Sequence, residues 1–482
     1  MSQDPRLPDG ALRRRIAPVA DLASSRGEEA YLVGGTVRDA LLGRPQALAD
    51  IDVALGGDAP AYGRALAGRL GAAYVPLAEE RGTVRIVTPD RVTYDVTAFA
   101  GTLDGDLARR DFTINAMAFG PLGAEEALID PFGGEEDLRG GVVRAVSERA
   151  FADDPLRTLR AFRFAATLGF GIDPQTLDWV GEHAADLTRS APERTARELF
   201  LMLAEPLSAA CVTAADACGV LAAALPETLP MRGVTQNEYH HLDVWHHSLE
   251  TLAMLERLLG DLPALAGEHA RRVLAFLDEE PVEERPRRAL LKLAALLHDL
   301  GKPPARREDA GRVTFYTHSR IGSRAAREAG GRLRLSVREI AELEAYVDRH
   351  LVPADLEASR PLSDKRLFRF FRRNGEAGVA LLLLAAADGM ATRGPASDPA
   401  RTESMRRFAG ALIGEYYERV GPRLETRPLI TGGDLIDELS LPPGPLLGRL
   451  LDEVRERQLS GELATRDDAL AHVRRVLERA GR

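Results

Sequence analysis

The chain is poor in cysteine and has no long apolar run. Of its 482 residues 2 are cysteine, so a scaffold held by disulfides is excluded. The apolar run at 379–387 is about half as long as a membrane helix, which needs roughly 20 residues. Residues 1–15 lack the apolar core of a signal peptide. We therefore expect no membrane partner and a cytoplasmic location.

The chain also lacks an excess of positive charge. The formal net charge is −10 and the pI is about 5.6. A positive field over the whole chain, as strongly basic nucleic-acid-binding proteins have, is therefore excluded. Any contact with RNA must come from local patches or be assisted by metal ions.

Length and periodicity predict several domains, since one domain has roughly 100–200 residues. Short strand patterns, including a hairpin at 83–96, occur only in the first third of the chain, and helical spacing begins at residue 155 and continues from there. The predicted fold class is α+β multidomain, with a small mixed β-sheet followed by helical domains. The predicted parts are a helical lead at 1–27, a mixed α/β head at 28–150, an all-α neck at 151–230, an all-α histidine-rich domain at 231–395 and a helical tail at 401–482.

A glycine pair, Gly34-Gly35, separates the first predicted strand from a predicted helix at 36–42. Glycines let a backbone approach a ligand closely, and N–H groups at a helix start attract anions. Arg38 lies one turn later, within reach of a triphosphate. A glycine pair is also typical of a plain tight turn, so a phosphate site here needs support from residues later in the chain.

Two carboxylates lie within the second predicted strand. Asp50 and Asp52 are two residues apart, so the period of a strand places both on one face. Neighbouring carboxylates repel each other and attract cations, and Mg²⁺ prefers oxygen ligands together with substrate phosphates. Two such ions align an attacking hydroxyl with a pyrophosphate leaving group. Asp95 is a candidate third catalytic carboxylate, or a surface residue at a strand end.

Six ordered blocks carry a resemblance to a known family. They read GGTVRDALLG, DID, RRDFTINA, DPFGGEEDL, DDPLRTLRAFRFA and ERTAREL, within residues 33–199. The sequence resembles the class II nucleotidyltransferases, which are tRNA CCA-adding enzymes and bacterial poly(A) polymerases. The resemblance implies that the first two blocks bind triphosphate and Mg²⁺. It also implies that Arg109, Arg110 and Asp111 contact the ribose and that Asn115 belongs to the nucleotide site.

The block at 153–165 predicts a site for the base. Asp154 and Arg157 are three residues apart, so one helix side offers a hydrogen-bond acceptor beside a donor. Cytosine and adenine both match that edge, whereas guanine and uracil leave one partner unsatisfied, at a cost of roughly 1–3 kcal/mol. The resemblance likewise implies a protein template that selects CTP and ATP. Asp154 is also explained as a helix cap, and Arg160 and Arg163 are expected to serve phosphates and helix packing.

Histidines concentrate between residues 240 and 350. The order of His247, His298-Asp299, His318, His350 and Asp388 resembles an HD-domain phosphohydrolase. Histidine and carboxylate ligands suit one or two divalent ions, either a transition metal or Mg²⁺, which activate a water molecule. An HD fold without activity is the alternative. His240, His241 and His269 are predicted to be surface residues.

These observations favour a template-independent nucleotidyltransferase that acts on tRNA with CTP and ATP and carries an HD phosphohydrolase module. A bacterial poly(A) polymerase is the alternative within the family. An RNA-binding HD phosphohydrolase with an inactive head is the alternative of another class, and the presence of both Asp50 and Asp52 argues against it. The Gly-rich tail is a possible RNA contact, and ordinary helix packing explains it equally.

One departure from the family concerns the product. Only residues 96–108 lie between Asp95 and Arg109, whereas the resemblance implies a longer flexible loop that reshapes the pocket from CTP to ATP. The resemblance also implies an Arg-Glu pair soon after the strand, whereas this sequence has Ala98-Phe99-Ala100-Gly101 there. We therefore predict efficient addition of two cytidines and weak or no addition of the terminal adenosine. The alternative is full CCA addition, in which an element other than this loop reshapes the pocket from CTP to ATP.

Overall fold

The computed structural model describes residues 10–44, 49–78, 82–99 and 101–479. The chain divides into two units, one made of Met1–Glu198 and Ala214–Ala224 and the other of Leu199–Thr213 and Leu225–Arg482. The first boundary between the units falls within helix α9 (Pro192–Ala204), and the second falls within helix α10 (Ala209–Ala217). The α+β fold class is confirmed, because a mixed sheet is followed by a mostly helical body. The five-part division remains a prediction.

The first unit contains a seven-stranded mixed sheet in the order β3-β4-β5-β2-β1-β6-β7. The pair β2 and β5 is parallel and the other pairs are antiparallel. Its strands are β1 (Glu29–Val33), β2 (Asp50–Gly56), β3 (Ala73–Ala78), β4 (Thr83–Val87), β5 (Thr93–Ala98), β6 (Ala118–Gly120) and β7 (Ala127–Ile129).

Short helices accompany the sheet and lead into the helical part of this unit. They are α1 (Gly10–Arg26), α2 (Gly35–Leu41), α3 (Ala59–Leu70), α4 (Leu103–Leu107), α5 (Gly134–Gly140), α6 (Arg149–Asp153), α7 (Arg157–Leu168), α8 (Pro174–His183) and α11 (Val220–Ala224). A small parallel pair, β8 (Val142–Val143) with β9 (Gly171–Ile172), joins residues before and after α7.

Three strands of the seven-stranded sheet were not anticipated from the sequence. β3 contains Pro76, which normally argues against a strand, but β3 lies at the sheet edge, where a missing N–H is tolerated. β6 and β7 have three residues each, which is too short for an alternating pattern to be recognised.

The second unit is built from helices, with one small antiparallel hairpin of β10 (Arg307–Asp309) and β11 (Arg312–Thr314). Its helices after α10 are α12 (Val244–Gly260), α13 (Leu262–Ala266), α14 (Ala270–Asp278), α15 (Arg287–Leu297), α16 (Lys302–Ala305), α17 (His318–Arg332), α18 (Val337–Arg349), α19 (Val352–Ala358), α20 (Asp364–Asn374), α21 (Ala377–Ala391), α22 (Pro399–Glu415), α23 (Gly421–Leu424), α24 (Gly432–Leu439), α25 (Pro445–Ser460) and α26 (Arg466–Arg479).

Helix α21 forms the core of this unit with α12 and α15. It is apolar on nearly all sides and is buried from Gly378 to Ala387, as expected of a helix surrounded by other helices. None of the helices in the described part of the chain combines the length and apolar character that crossing a membrane requires.

A buried ion pair joins two of these helices. Lys292 of α15 is fully buried, and its Nζ lies 2.8 Å from Oε1 of Glu256 on α12. The same carboxylate accepts hydrogen bonds from the backbone N–H and hydroxyl of Ser208 at 2.8 and 2.7 Å. Burial lowers the pKa of Lys292 even though Glu256 favours its charge. The pair stabilises this packing only as long as both partners are present.

We expect Lys292→Met to lower the stability of this unit by about 3–5 kcal/mol, because it leaves the buried Glu256 carboxylate without its cation. The matched control is Lys365→Met, whose side chain is 66% exposed and pairs with Glu456 at 3.6 Å, with an expected loss of about 0–1 kcal/mol. The midpoint of urea unfolding, followed by circular dichroism, measures both. Equal midpoints for the two variants contradict the prediction.

Candidate functional sites

The turn after β1 brings backbone and arginine together. Gly34 has a φ of 64°, which favours glycine, and a Cβ there would lie 2.6 Å from Nη1 of Arg110. Its neighbour Thr36 donates a hydrogen bond to the carbonyl of Asp50 at 3.1 Å and accepts one from the N–H of Asp52 at 2.7 Å. Thr36 therefore fixes the glycine turn against β2. The sequence pattern did not single out this residue.

Three carboxylates lie on the neighbouring strands β2 and β5. Asp52 on β2 lies opposite Asp95 in the parallel ladder with β5, and Asp50 lies two residues earlier on β2. Burial raises the pKa of Asp52 to about 6; Arg110 opposes the rise, and the charges of Asp95 and Asp50 add to it. Asp52 and Asp95 offer oxygen donors on adjacent strands, and burial makes an uncompensated charge on Asp52 energetically costly. Such a site fits a divalent cation such as Mg²⁺.

Asp95 is not at a strand end. It is the third residue of β5, and its carboxylate accepts two hydrogen bonds from Arg85 at 2.8 and 2.7 Å. Arg85 was not predicted as a site residue, although its place opposite Asp95 is set by the register of the β4–β5 hairpin. The Arg85 guanidinium therefore competes with any cation for this carboxylate.

A cleft of about 390 Å³ opens here, and most of the predicted nucleotide-site residues line it. They are Gly34, Gly35, Arg38, Asp52, Asp95, Arg110, Asp111, Asn115, Arg160 and Arg163. The cleft lining does not include Asp50, Arg109, Asp154 or Arg157.

Hydrogen bonds connect the arginines of the cleft across long sequence separations. Arg38 donates to Asn115 Oδ1 at 2.7 Å, and Asn115 donates to Asp111 at 3.0 Å. Arg160 bridges Asp111 at 2.6 Å and Glu198 of α9 at 3.1 Å. Burial disfavours the Asp111 charge, but Arg160 and Asn115 outweigh burial and hold the pKa of this carboxyl well below its usual range. Asp111 therefore acts in this conformation as an anchor for Arg160.

Phe164 of α7 provides a surface for the cationic side chains. The Arg163 guanidinium lies 3.6 Å from the ring centroid, and those of Arg38 and Arg160 lie 5.2 Å from it. Cation–π attraction and the carboxylate of Glu198, 2.8 Å from Arg163, offset the mutual repulsion of the three cations. The three guanidinium groups are thus held together at the cleft.

Asp154 and Arg157 are both engaged by other parts of the protein. Asp154 accepts a hydrogen bond from Arg194 at 2.7 Å and one from the N–H of Leu156 at 3.2 Å. Arg157 donates to the carbonyls of Ala150 and Arg109 at 3.2 and 2.9 Å. Helix α7 begins at Arg157, two residues later than predicted. The base-reading role of this pair remains a prediction, and it requires these contacts to be exchanged for contacts to a base.

A second cluster, in the other unit, is formed at the ends of several helices. His247 lies on α12, His298 and Asp299 come directly after α15, and Asp388 lies near the end of α21. His318 begins α17 and His350 comes directly after α18. Two sets of three residues lie close enough to hold a metal ion, and both include Asp299. They are His247, His298 and Asp299, and Asp299, His318 and His350.

The histidines of this cluster are oriented by backbone hydrogen bonds. Nδ1 of His298, His318 and His350 each lies 2.8–2.9 Å from the carbonyl of the residue three positions earlier. These bonds fix the tautomer and direct Nε2 into the cluster, as in metal-ligating histidines. Burial lowers the pKa of His350 to about 3, so its ring is neutral and keeps a lone pair.

The contacts inside the cluster also fit a metal. Nε2 of His298 is buried without a hydrogen-bond partner, although Asp299 Oδ2 lies 3.1 Å away. His247 Nε2 contacts Asp388 Oδ1 at 2.8 Å. Burial opposes the Asp388 charge, but the hydrogen bond and charge of His247 hold the pKa of this carboxyl well below its usual range. Nitrogen and carboxylate donors in this arrangement suit a divalent ion.

Tertiary contacts decide how the cluster assembles. The sequence places His298-Asp299 within a helix that ends at Gly301, but in the structure the two residues lie in a turn between α15 and α16. A Cβ on Gly301 would lie 1.9 Å from the carbonyl oxygen of His318, so only glycine allows α17 to approach this turn. Lys302, which was not predicted, places Nζ 2.6 Å from Asp299 Oδ2. The sequence signal that could have identified Lys302 is its position three residues after Asp299.

The predicted surface histidines differ among themselves. His240 is half-buried with its ring centroid 4.9 Å from that of His247, and burial lowers its pKa to about 3. His269 is also half-buried and pairs with Glu418 at 3.0 Å. The surface prediction is therefore wrong for both and right for His241, which is exposed. His246 is exposed as well, whereas His247 is buried in the cluster.

Comparison with known families matches four consecutive regions of the chain. Residues 30–144 match the poly A polymerase head domain, and 169–231 match a probable RNA and SrmB-binding site of polymerase A. Residues 244–388 match the HD domain, and 425–473 match a putative tRNA nucleotidyltransferase domain 2.

Full-length relatives decide the family. The A-adding tRNA nucleotidyltransferase of Deinococcus radiodurans is 38% identical over 461 residues, which cover 93% of this chain and 96% of the relative. The CC-adding tRNA nucleotidyltransferase of Thermus thermophilus is 35% identical over 451 residues, with coverage of 92% and 93%. This chain belongs to the tRNA nucleotidyltransferase family.

The fold agrees with this family. A Thermotoga maritima CCA-adding enzyme, solved in complex with tRNA, has a TM-score of 0.64 and 20% identity, with coverage of 99% of this chain and 100% of that one. The resemblance stated from the six sequence blocks is confirmed, and so is the prediction of a nucleotidyltransferase. The relatives differ in the nucleotide that their names give, so the family alone does not assign the product.

Proposed function

We propose that this tRNA nucleotidyltransferase adds cytidines from CTP to tRNA 3′ ends and leaves the terminal adenosine to a second enzyme. The observation that carries the proposal is the segment between β5 and Arg109. Its residue Leu107, at the end of α4, is fully buried against a cluster that includes Tyr31 and Phe99. Thr102 caps α4 by accepting a hydrogen bond from the N–H of Gly105 at 3.2 Å.

The part of this segment that the structure describes after the gap, 101–108, therefore has little freedom to reshape a pocket, and Ala100 lies outside the described residues. Asp106 of the same segment pairs with Arg110 at 3.1 Å, which ties it to the cleft itself. Moving the segment would expose Leu107 and break this pair. Among the described residues of this segment, no element is therefore free to move when a pyrimidine is exchanged for the larger adenine.

The residues of the cleft divide the chemistry among them. Asp50, Asp52 and Asp95 would hold Mg²⁺, and the bound metal would supply the alignment of the tRNA hydroxyl with the pyrophosphate leaving group. Arg38, Arg110 and the glycine turn bind the triphosphate. Asp154 and Arg157 present an acceptor and a donor to N4–H and N3 of cytosine, after their present partners are released. These assignments, and a cytoplasmic location, are part of the proposal.

Addition of the terminal adenosine alone is the second candidate. It is favoured by the full-length similarity to the Deinococcus radiodurans relative, which is named A-adding. The Asp154–Arg157 edge accepts adenine as well as cytosine, so this edge does not separate the two candidates.

We expect transcripts that end at the discriminator base or after one cytidine to be extended efficiently with CTP. A transcript that already ends in two cytidines should accept ATP weakly or not at all, because the short segment leaves the pocket fitted to a pyrimidine. Single-turnover extension with CTP or ATP alone, resolved on sequencing gels, measures all three substrates.

Efficient extension of the last transcript with ATP contradicts the cytidine-only proposal. Together with inert shorter transcripts, that result favours adenosine addition. Together with active shorter transcripts, it favours full CCA addition.

We also propose that the histidine cluster is a divalent-metal phosphohydrolase site. The support is the common orientation of Nε2 in His298, His318 and His350, together with the shared carboxylate of Asp299. An imidazole-rich donor set favours a transition metal over Mg²⁺. A metal bound there supplies an activated water for phosphoester hydrolysis, and Lys302 offers a cation to the phosphate.

A further inference from the structure

A row of charged side chains crosses three strands of the sheet. The register pairs Asp52 of β2 with Asp95 of β5, and it pairs Asp95 with Arg85 of β4. The three side chains therefore lie on one face of the sheet, as two negative charges followed by one positive charge. Like charges that lie directly opposite each other destabilise a sheet. Arg85, at the end of the row, offsets this repulsion.

The ion pair between Arg85 and Asp95 is bidentate. Nε of Arg85 donates to Oδ1 of Asp95 at 2.8 Å, and Nη2 donates to Oδ2 at 2.7 Å. Both carboxylate oxygens are engaged, in the parallel arrangement that is strong for an arginine and a carboxylate. Asp95 lines the nucleotide cleft, so Arg85 neutralises a carboxylate of the cleft wall.

Arg85 interacts with all the carboxylates of the two strands. Its hydrogen bonds to Asp95 raise the pKa of the guanidinium most; the charges of Asp95 and of both carboxylates of β2 add to the rise, and burial opposes it. A second cation, Arg110, acts on Asp52, but it also forms an ion pair with Asp106 at 3.1 Å. Arg85 is thus a cation that the strand register itself places beside the carboxylates.

The position of this ion pair gives it more than a structural consequence. An exposed pair usually adds little to stability, and the Arg85 side chain is 44% exposed. A divalent ion between β2 and β5, however, needs negative charge from both strands. As long as Arg85 holds Asp95, the carboxylate on β5 offers no net charge to that ion. The phosphates of a nucleoside triphosphate carry negative charge that replaces it.

We propose that Arg85 lowers the affinity of the cleft for a divalent ion that arrives without a nucleotide. Arg85 acts through Asp95 and is therefore a positioning residue. The triphosphate compensates for the carboxylate that Arg85 withholds, so that the metal binds strongly only together with CTP. The inference rests on the proposed metal-binding role of the three carboxylates and adds a residue that controls it.

The test measures Mn²⁺, which accepts the same oxygen ligands as Mg²⁺ and is detected by electron paramagnetic resonance. The parent protein carries Asp299→Ala, so that the histidine cluster does not contribute. Arg85→Met removes the charge and keeps an unbranched side chain. Arg69→Met, at an exposed arginine of α3, is the control for net charge. Asp52→Asn identifies the binding that belongs to the cleft.

We expect Arg85→Met to lower the Mn²⁺ dissociation constant of the nucleotide-free cleft about tenfold, since a unit charge a few ångströms away has that order of effect near a protein surface. Arg69→Met should leave the constant unchanged. Damage to the structure does not produce a gain of affinity. The double variant Arg85→Met with Asp95→Asn should return to the constant of the parent. No gain in Arg85→Met, or a gain that persists in the double variant, overturns the proposal.

Nucleotide binding gives the second measurement. Calorimetric titration uses CTP that is already saturated with Mn²⁺, without tRNA. The dissociation constant of this complex should differ much less between Arg85→Met and the parent than the constant for Mn²⁺ alone, because the triphosphate supplies the compensating charge. A gain of equal size with and without CTP overturns the proposal, since Arg85 then acts on every state of the cleft.

Failure of the underlying metal role gives a different result. In that case Asp52→Asn leaves the binding of Mn²⁺ and of its CTP complex unchanged, which overturns both the metal role of the carboxylates and the role of Arg85. Binding that depends on Asp52 but not on Arg85 supports the metal role and overturns only the role of Arg85.

Discussion

Replacing Asp52 by asparagine is expected to lower nucleotide addition by about a thousandfold or more, equivalent to ~4 kcal/mol of transition-state stabilisation. Asp52 lies opposite Asp95 in the parallel ladder and between the glycine turn and β5. Its loss removes the carboxylate that both the metal and the incoming phosphates need. Asparagine keeps the shape of the side chain and its contacts, so the effect reports charge.

The same substitution should not destabilise the protein. Burial and the neighbouring charges of Asp95 and Asp50 raise the pKa of Asp52 to about 6, which means that its charge is costly in the folded state. We therefore expect a melting temperature equal to or above that of the wild type. Loss of activity without loss of stability is typical of a residue retained for function.

The control for this experiment is Asp104→Asn, at an exposed carboxylate of α4 in the same unit. It should leave both addition and stability unchanged. Addition is measured as single-turnover incorporation of labelled CTP into a tRNA transcript, and stability by thermal unfolding. A wild-type rate in Asp52→Asn would remove the metal-dependent mechanism proposed for the cleft.

Replacing Asp299 by alanine is expected to abolish metal binding and hydrolysis at the histidine cluster. Asp299 belongs to both groups of candidate ligands that the described residues form at this cluster. Its removal also leaves Lys302 at the cluster without its carboxylate partner, and the added positive charge disfavours a cation further. His298→Ala should act in the same direction through one group of ligands.

A matched pair of histidines provides the control. His246 and His247 are adjacent, but His246 is exposed and His247 contacts Asp388 inside the cluster. His247→Ala should lose bound metal, measured by plasma emission spectroscopy, while His246→Ala retains it. Nucleotide addition should survive in both variants, because the cleft lies in the other unit. A wild-type protein that binds no metal at the cluster contradicts the assignment.

Local patterns determined several features of the chain from sequence alone. The period of a strand was enough to place Asp50 and Asp52 on one face of β2. Gly34 was recognised as part of a glycine pair between a strand and a helix that allows close approach of the backbone, and its φ of 64° also favours glycine. The ordered blocks identified the family, since each block is a short contiguous motif that can be recognised without knowledge of the tertiary structure.

Only the tertiary structure decided which distant residues act together. The pairing of Asp95 with Asp52 depends on strand order, and the bridge of Arg160 between Asp111 and Glu198 joins residues far apart in sequence. Strand β3 was missed because the tolerance of Pro76 depends on an edge position that no local pattern shows.

The histidine cluster shows the same limit. Its residues were found by their order, but their geometry depends on Gly301, whose missing side chain admits α17, and on Lys302, which balances Asp299. Sequence therefore determined the chemistry that the residues carry, and packing decided where that chemistry is brought together.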